Sequence, residues 1–153
     1  MALAGGAGFL GQHLVHQLLD SGDYDVTIFD LHDAGIAGAR TVRGDLSVAE
    51  EVEAACAGQD VVFHVATAAP TAAGARAQAL MMRVNVTGTR NVLQACVATG
   101  VRRLVFTSTA SVVFEGRDLV DVDESCPYAT KPMDFYTGTK TEARRHVLPC
   151  SLW

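Results

Sequence analysis

Three glycines near the start of the chain, each three residues from the next, constrain its fold more than any other feature. They are Gly5, Gly8 and Gly11, within the segment Gly-Gly-Ala-Gly-Phe-Leu-Gly, and they directly follow the short run Ala2–Ala4. Glycine at these positions permits a tight turn, lets a pyrophosphate approach the backbone, and allows the following helix to pack closely on its sheet. The spacing therefore predicts a strand, a phosphate-binding turn and a helix that together hold a dinucleotide.

The rest of the apolar pattern alternates between short runs that suit buried strands and longer stretches with helical spacing. After the first strand, further strands are predicted at residues 25–30, 41–43, 60–65 and 104–106. Helices are predicted at 10–22, 47–57 and 76–99, and a last helix begins at about 132 or 134. Ser47 is the predicted N-cap of the second helix. This order predicts an α/β fold, a Rossmann-like doubly wound parallel sheet whose ligands bind beyond the carboxyl ends of the strands.

Length and charge limit the class of protein. With 153 residues, 49% hydrophobic and 19% charged, the chain is long enough for one globular domain with a core. The net charge is -5, and the twelve Lys and Arg residues are scattered rather than clustered. Because a phosphate backbone is bound by clustered positive charge, we expect no nucleic-acid partner.

The cysteines and the apolar runs give no indication of a metal site or of a membrane-spanning segment. The four cysteines, Cys56, Cys96, Cys126 and Cys150, lie far apart, with no Cys-x-x-Cys pair and no His spacing suited to zinc. We therefore predict no metal site and interpret the cysteines as reduced thiols, which favours a cytosol-facing compartment. No apolar run approaches the roughly 20 residues that would span a bilayer.

An acid at the end of the second predicted strand indicates which dinucleotide binds. Asp30 follows Gly11 by 19 residues, near the spacing of about 20 expected for an acid on the adenosine ribose. Its carboxylate would accept hydrogen bonds from both ribose hydroxyls and repel a 2′-phosphate, which predicts NAD rather than NADP, although His32 is a weak indication in the other direction. Asp45, at the end of the third strand, is either an adenine-side ligand or a helix-entry residue.

A tyrosine and a lysine near the other end of the chain are candidates for proton transfer. Tyr136 and Lys140 are four residues apart on a predicted helix, so the ammonium would lie beside the phenol, where its charge favours the phenolate. On an exposed face the same spacing would be an ordinary amphipathic pair. Hydroxyl residues 107–109 follow the fifth strand, and Asn85 sits in mid-helix close to Gly88, which indicates either a kink or a water-binding site.

These residues, in this order, resemble the extended short-chain dehydrogenases/reductases, and within them the 3β-hydroxysteroid dehydrogenase group. Longer segments carry the resemblance, among them Val-Asn-Val-Thr-Gly-Thr-Arg-Asn-Val, Thr-Ser-Thr-Ala-Ser-Val-Val-Phe-Glu-Gly and Pro-Tyr-Ala-Thr-Lys-Pro-Met-Asp. The resemblance implies a catalytic set of Asn85, Thr109 or alternatively Ser108, Tyr136 and Lys140. It also implies that NAD is bound by Gly5, Gly8, Phe9, Leu10, Gly11, Asp30, Asp45, Leu46, Ala66, Tyr136 and Lys140.

The activity that the resemblance implies is NAD-dependent oxidation of a 3β-hydroxyl on a 4α-carboxysterol, with decarboxylation. Tyr136 would take the hydroxyl proton, Lys140 would also hold the nicotinamide ribose, Thr109 would bind the substrate oxygen, and Asn85 would hold a relay water. Two other functions remain open. One is that of a nucleotide-sugar epimerase or dehydratase of the same superfamily, and the other that of a catalytically silent NAD-binding fragment that pairs with a partner.

The sequence departs from the family at both ends. Compared with the family that the sequence resembles, we expect a clipped first strand and the loss of the carboxyl half, which in the family supplies the substrate domain and the membrane-associating region. We therefore expect a partial NAD-binding domain at residues 1–148 and an atypical tail at 149–153. The expected chain is truncated after the catalytic helix and unstable alone, because the fifth strand would leave an unpaired edge. For the full-length family, the resemblance implies a homodimer at the endoplasmic reticulum membrane or a lipid droplet.

Overall fold

The predicted parallel sheet is present. A computed structural model describes residues 1–70, 73–123 and 125–148, and its five strands pair in the order β3-β2-β1-β4-β5, every described pair parallel. The strands are β1 (Ala2–Ala4), β2 (Thr27–Asp30), β3 (Arg40–Arg43), β4 (Val61–His64) and β5 (Arg103–Phe106). The order reverses between β1 and β4, so the loops that follow these two strands diverge and open a crevice at the carboxyl edge.

The described chain also contains five α-helices, a π-helical segment and a 3₁₀ turn. They are α1 (Phe9–Ser21), α2 (Ala49–Cys56), α3 (Ala75–Met81), a π-helical segment (Met82–Gly88), α4 (Thr89–Thr99), a 3₁₀ turn (Ala110–Val113) and α5 (Phe135–Val147). Helix α1 ends at Gly22, which has a left-handed φ of 73° and donates its N–H to the Leu19 carbonyl. Helix α5 begins after Asp134, whose carboxylate accepts the Thr137 N–H at 2.7 Å.

Two apolar layers hold the helices to opposite faces of the sheet. On one face Leu3 and Ile28 pack with Val15 of α1, and all three are fully buried. On the other face Val62 packs with Val52 of α2 and Val92 of α4. Each such side chain contributes about 1.5–3 kcal/mol by burial. Both faces of the central strands β1 and β2 are therefore covered, which explains why these strands are buried without a polar alternation.

The structure corrects two expectations about local structure. Ser47 does not cap α2, since Val48 is the N-cap and makes no side-chain bond there. The backbone N–H and the hydroxyl of Ser47 instead both donate to Asp45 Oδ1 at 2.8 Å. The β–α alternation is also incomplete, because β2 and β3 are joined by residues 31–39 without a helix. A short loop is enough to connect them because β2 and β3 are neighbours in the sheet.

The long helix predicted at 76–99 is divided by the π-helical segment, at the place where Asn85 and Gly88 conflicted with helix propensity. A Cβ on Gly88 would lie 3.0 Å from Leu46 Cβ, so the backbone of this segment packs directly on the loop after β3. The side chain of Asn85 is 2% exposed and bonds to groups outside its own helix. Of the two interpretations that the sequence left open, the structure shows the distortion, as a widened turn.

Candidate active site

A groove of about 620 Å³ lies at the carboxyl edge of the sheet, over the crevice between β1 and β4. It contains every residue predicted to hold the dinucleotide apart from Tyr136 and Lys140. Those residues are Gly5, Gly8, Phe9, Leu10, Gly11, Asp30, Asp45, Leu46 and Ala66. Thr107, one of the hydroxyl residues noted after the fifth strand, also lines the groove. Sequence reasoning missed other residues of the lining, notably Leu31, Gly44, Thr67, Ala68, Leu80 and Val84. Thr67 and Ala68 follow a strand, so the strand end was the sequence signal that could have found them.

The glycine turn fits a pyrophosphate for the reasons that the spacing suggested. Gly5 has a φ of 90°, and a Cβ there would overlap Ala66, on the loop after β4. A Cβ on Gly11 would overlap the Gly5 carbonyl, so this glycine allows α1 to pack against the turn. A Cβ on Gly8 would meet only that carbonyl, at 3.4 Å. Gly8 also lines the groove, so the absent side chain leaves backbone open to an anion at the start of α1.

Asp30 faces the groove and also holds the glycine turn. Its Oδ2 accepts the Ala7 N–H at 3.1 Å, and its Oδ1 accepts the His32 N–H at 3.2 Å. Each carboxylate oxygen has a second lone pair. The carboxylate can therefore accept from ribose hydroxyls while it keeps both backbone bonds.

Asp45 and Leu46 form the opposite end of the groove. The Ser47 N–H bonded to Asp45 is the main cause that lowers the pKa of the Asp45 carboxyl, so this end of the groove carries a negative charge at neutral pH. Asn91 of α4 donates from Nδ2 to the Leu46 carbonyl at 2.8 Å. Asp45 therefore serves as a helix-entry residue, and it also lines the groove.

Lys140 lies next to the other end of the groove. Its Nζ donates to the Thr107 carbonyl at 2.8 Å and lies 4.8 Å from the centre of the Phe106 ring. The residue is buried, and this burial lowers the pKa of Lys140 to about 8. Because the ammonium keeps its charge at neutral pH, the structure places a fixed cation beside the cofactor groove.

Tyr136 belongs to the first turn of α5 and is half-buried. Its carbonyl accepts the hydroxyl of Thr139 at 2.7 Å. Tyr136 and Lys140 lie one helical turn apart. Lys140 reaches the groove because it donates a hydrogen bond to Thr107, which lines it. The pair therefore differs from the exposed amphipathic alternative, since one member is buried and anchored to another element.

The side-chain amide of Asn85 connects three parts of the site. Its Oδ1 accepts the Ala68 N–H at 2.8 Å and the Thr67 hydroxyl at 3.2 Å. Its Nδ2 donates to the Ala68 carbonyl at 3.1 Å and to Thr139 Oγ1 at 3.0 Å. Both hydrogens and both lone pairs of the amide are used, so the side chain has no group left for a relay water.

The two candidate hydroxyls after β5 have different surroundings. Thr109 caps the 3₁₀ turn, its Oγ1 accepting the Ser111 N–H at 3.3 Å and sharing a hydrogen bond with the Ser111 hydroxyl at 2.9 Å. The Ser108 hydroxyl is buried and has no partner among the described residues. Both residues line a second cavity of about 520 Å³. The structure brings both to one place, and the choice between them stays open.

His64, which sequence reasoning did not single out, is connected to Asn85 by hydrogen bonds through Thr89. It ends β4 and is 1% exposed, and its Nε2 lies 2.8 Å from Thr89 Oγ1, which itself donates to the Asn85 carbonyl at 2.7 Å. Since the threonine hydrogen is used there, Nε2 of His64 must be the donor. Burial, with a smaller contribution from the charge of Lys140, lowers the pKa of His64 to about 3. The imidazole is therefore neutral at physiological pH.

Within residues 1–70, 73–123 and 125–148, no group of three or more His, Cys, Asp or Glu side chains is arranged to hold a metal ion. No helix in this part of the chain combines the length and the hydropathy needed to cross a bilayer.

The sequence is similar to sterol and steroid dehydrogenases. A profile of the 3-beta hydroxysteroid dehydrogenase/isomerase family matches residues 2–151. The mouse (Mus musculus) sterol-4-alpha-carboxylate 3-dehydrogenase, decarboxylating, is 44% identical over 146 residues, which cover 94% of this chain and 39% of the mouse protein. The 3-beta-hydroxysteroid dehydrogenase of Mycolicibacterium neoaurum is 39% identical, covering 95% of this chain and 42% of that protein. The chain thus spans about two fifths of the length of these curated relatives.

Solved structures share the fold over nearly the whole chain. A short-chain dehydrogenase/reductase superfamily protein from Agrobacterium tumefaciens with bound NAD has a TM-score of 0.84 and 33% identity, covering 95% of this chain and 43% of that one. The UDP-glucose 4-epimerase of Thermus thermophilus in complex with NAD has a TM-score of 0.84 and 30% identity, covering 97% of this chain and 49% of that one.

Proposed function

The chain belongs to the 3-beta hydroxysteroid dehydrogenase/isomerase family, and from this membership we propose that it is the NAD-binding and proton-transferring part of a sterol dehydrogenase. The proposed reaction oxidises the 3β-hydroxyl of a 4α-carboxysterol and releases carbon dioxide. One observation carries the proposal: Lys140, four residues after Tyr136, is buried and bonded to Thr107, which lines the groove. Lys140 would thus adjoin the place where a nicotinamide would lie, and Tyr136 lies one helical turn before it.

The groove supports NAD as the cofactor. Gly8 exposes backbone at the start of α1 for the pyrophosphate, Asp30 offers carboxylate lone pairs for the adenosine ribose, and Asp45 and Leu46 line the adenine end. A 2′-phosphate would meet the negative charge of Asp30. NAD, when bound, supplies the hydride acceptor.

The residues of this chain would carry the proton chemistry. Tyr136 removes the proton of the 3β-hydroxyl as the carbon-bound hydrogen leaves as hydride, and the Lys140 charge favours the phenolate. Thr109, with Ser108 as the alternative, donates a hydrogen bond to the substrate oxygen. Since the Asn85 amide is fully bonded, a relay water would use the main-chain carbonyl of Asn85, which accepts from Thr89 and has a second lone pair.

The decarboxylation needs no further residue. Oxidation gives a 3-keto acid, in which the carboxylate at C4 is β to the new ketone. The bond from C4 to the carboxylate then breaks, carbon dioxide leaves, and the electron pair moves into an enolate that takes up a proton. We propose that the intact enzyme is a homodimer, and that it acts on the cytosolic side of the endoplasmic reticulum membrane or a lipid droplet, as the family resemblance implies.

Substitution of Tyr136 tests this proposal. With NAD and a 4α-carboxysterol, Tyr136→Phe is expected to lower the rate of NADH formation by about 10²–10⁴-fold, because the proton acceptor is lost. NAD affinity, measured by calorimetry, should remain nearly unchanged, whereas Lys140→Ala should reduce both affinity and rate. Tyr128→Phe is the matched control. Its hydroxyl is buried without a described partner, and loss of rate in this variant alone would identify Tyr128 as the base.

The similarity to UDP-glucose 4-epimerases favours one alternative substrate. The same preparation should therefore be given UDP-glucose and NAD, with epimerisation as the readout. Epimerisation without sterol oxidation would contradict the proposal and support a nucleotide-sugar enzyme. NAD binding without turnover of either substrate would instead support a silent NAD-binding protein.

A further inference from the structure

Thr139 lies between the two residues proposed to move the proton, on the buried side of α5. It is 2% exposed, and its hydroxyl donates to the Tyr136 carbonyl at 2.7 Å. Its Oγ1 also accepts a hydrogen from Asn85 Nδ2 at 3.0 Å, across 54 positions of sequence. Thr139 is therefore the point at which α5 is bonded to the π-helical segment.

The directions of these hydrogen bonds fix a continuous polar connection. The single hydroxyl hydrogen of Thr139 goes to the Tyr136 carbonyl, so its oxygen must be the acceptor toward Asn85. The other amide hydrogen of Asn85 goes to the Ala68 carbonyl, and its Oδ1 accepts the Ala68 N–H. Two side chains thus connect the backbone of Tyr136 with the backbone of Ala68, which lines the groove.

We propose that Thr139 is a positioning residue that fixes Tyr136 and Lys140 relative to the cofactor groove, acting through Asn85. This inference rests on the proposed function for its catalytic consequence. Lys140 is anchored to Thr107 at 2.8 Å, and the bond from Thr139 to Asn85 supplies a second anchor on the same turn of α5. Two anchors prevent the helix from sliding or rotating, and a displacement of about 1 Å at such a site can cost on the order of 10²-fold in rate.

Helix stability alone does not account for a hydroxyl at this position. A threonine that bonds to a carbonyl of its own helix contributes little to the helix, and valine has nearly the same shape. Thr141, also buried, provides the comparison, because its hydroxyl donates to the Thr137 carbonyl at 2.9 Å and its described bond lies within α5. Thr139 differs from Thr141 in its bond to another element.

The kinetic test compares Thr139→Val, Thr139→Ser and Thr141→Val in the purified protein with NAD and a 4α-carboxysterol. Thr139→Val is expected to lower kcat by about tenfold or more, because it removes one buried hydrogen bond and the free energy of such a bond corresponds to about a tenfold change. The KM for NAD should change less than about threefold. Thr139→Ser should restore the rate, and Thr141→Val should leave it unchanged. An unchanged kcat in Thr139→Val, or an equal loss in Thr141→Val, would overturn the proposal.

A second measurement does not depend on turnover. Since the Ala68 N–H is held by Asn85, loosening Asn85 in Thr139→Val should speed hydrogen exchange at Ala68, measured by NMR, by on the order of tenfold. Exchange at Ala68 should stay unchanged in Thr141→Val. If no substrate is oxidised, the proposed function fails. The hydrogen-exchange measurement still tests whether Thr139 holds Asn85 and Ala68 in place. Unchanged exchange in Thr139→Val would overturn the role of Thr139 whatever the activity.

Discussion

The side chain of Asp30 has two roles, one in the glycine turn and one in the groove. It holds the Ala7 N–H in the glycine turn and also presents lone pairs and a negative charge to the groove. The sequence spacing predicted the second role, because the distance from a glycine turn to the end of the next strand is short and regular. The first role could not be predicted, since it depends on how closely the turn approaches β2.

The charge of Asp30 is expected to select NAD over NADP. Asp30→Asn keeps an acceptor for the Ala7 N–H but removes a charge worth about 1–4 kcal/mol against a phosphate about 4 Å away. The preference for NAD should therefore fall about tenfold or more, as measured by calorimetric titration of both dinucleotides. Asp33→Asn is the control, because Asp33 is an exposed acid whose carboxylate accepts the nearby Gly35 N–H. Equal affinities in the unsubstituted protein would contradict this expectation.

His64 is expected to make stability depend on pH. Its pKa in the folded chain is about 3, whereas an unfolded histidine titrates near about 6.5. Between these values the unfolded chain binds a proton that the folded chain does not, so the free energy of unfolding falls as the pH is lowered from about 6.5.

The expected slope from this one group is up to about 1.4 kcal/mol per pH unit. Urea unfolding between pH 7 and pH 4.5 measures it. His64→Gln should flatten the profile, while His16→Gln, on the exposed face of α1, should not. The same slope in all three proteins would show that His64 does not cause the dependence.

At the scale of elements, the π-helical segment explains what could and could not be predicted. Residues 75–99 form one continuous helical stretch, as the apolar spacing indicated, and Asn85 with Gly88 indicated a distortion. Its form depends on contacts with Leu46, Ala68 and Thr139. These residues lie far from Asn85 in sequence, and a local pattern carries no information about their distance. Thr139 was missed for the same reason.

A side chain at position 88 is expected to destabilise the protein. Gly88→Ala would place a Cβ 3.0 Å from Leu46 Cβ, and overpacking of this kind costs about 1–3 kcal/mol. Urea unfolding should therefore shift to lower concentration, and NAD affinity should fall because Leu46 lines the groove.

Gly138→Ala is the matched control within α5. Its Cβ would lie 3.9 Å from Pro132, an ordinary contact. Replacing a mid-helix glycine by alanine should stabilise the protein by about 0.5–1 kcal/mol. A Gly88→Ala protein as stable as the unsubstituted one would show that the loop after β3 can shift to make room for the added Cβ at little cost in free energy.

For the whole molecule, the sheet has an edge at β5. Among the described residues β5 pairs with β4 alone, and Val105 on this strand is 46% exposed. Unpaired strand edges with exposed apolar side chains promote association. We therefore expect the chain of residues 1–153 to self-associate through β5.

A charge on that strand should weaken the association. Val105→Lys is expected to shift the protein toward monomer in sedimentation experiments, because natural sheet edges are protected by lysine in this way. Val97→Lys is the control, since Val97 is 75% exposed but belongs to α4 and not to the edge strand. If Val97→Lys separates the copies and Val105→Lys does not, association runs through the helices instead.

The order of the groove residues along the chain bears on how the protein is made. All the described residues that line the groove lie between Gly5 and Thr107, whereas Tyr136 and Lys140 come later. During synthesis the amino-terminal part emerges from the ribosome before the rest of the chain. A nascent chain that has exposed Thr107 therefore already presents every described residue of the groove lining. We expect that the cofactor can meet these residues at this stage, before the helix with the proposed proton-transferring pair has emerged.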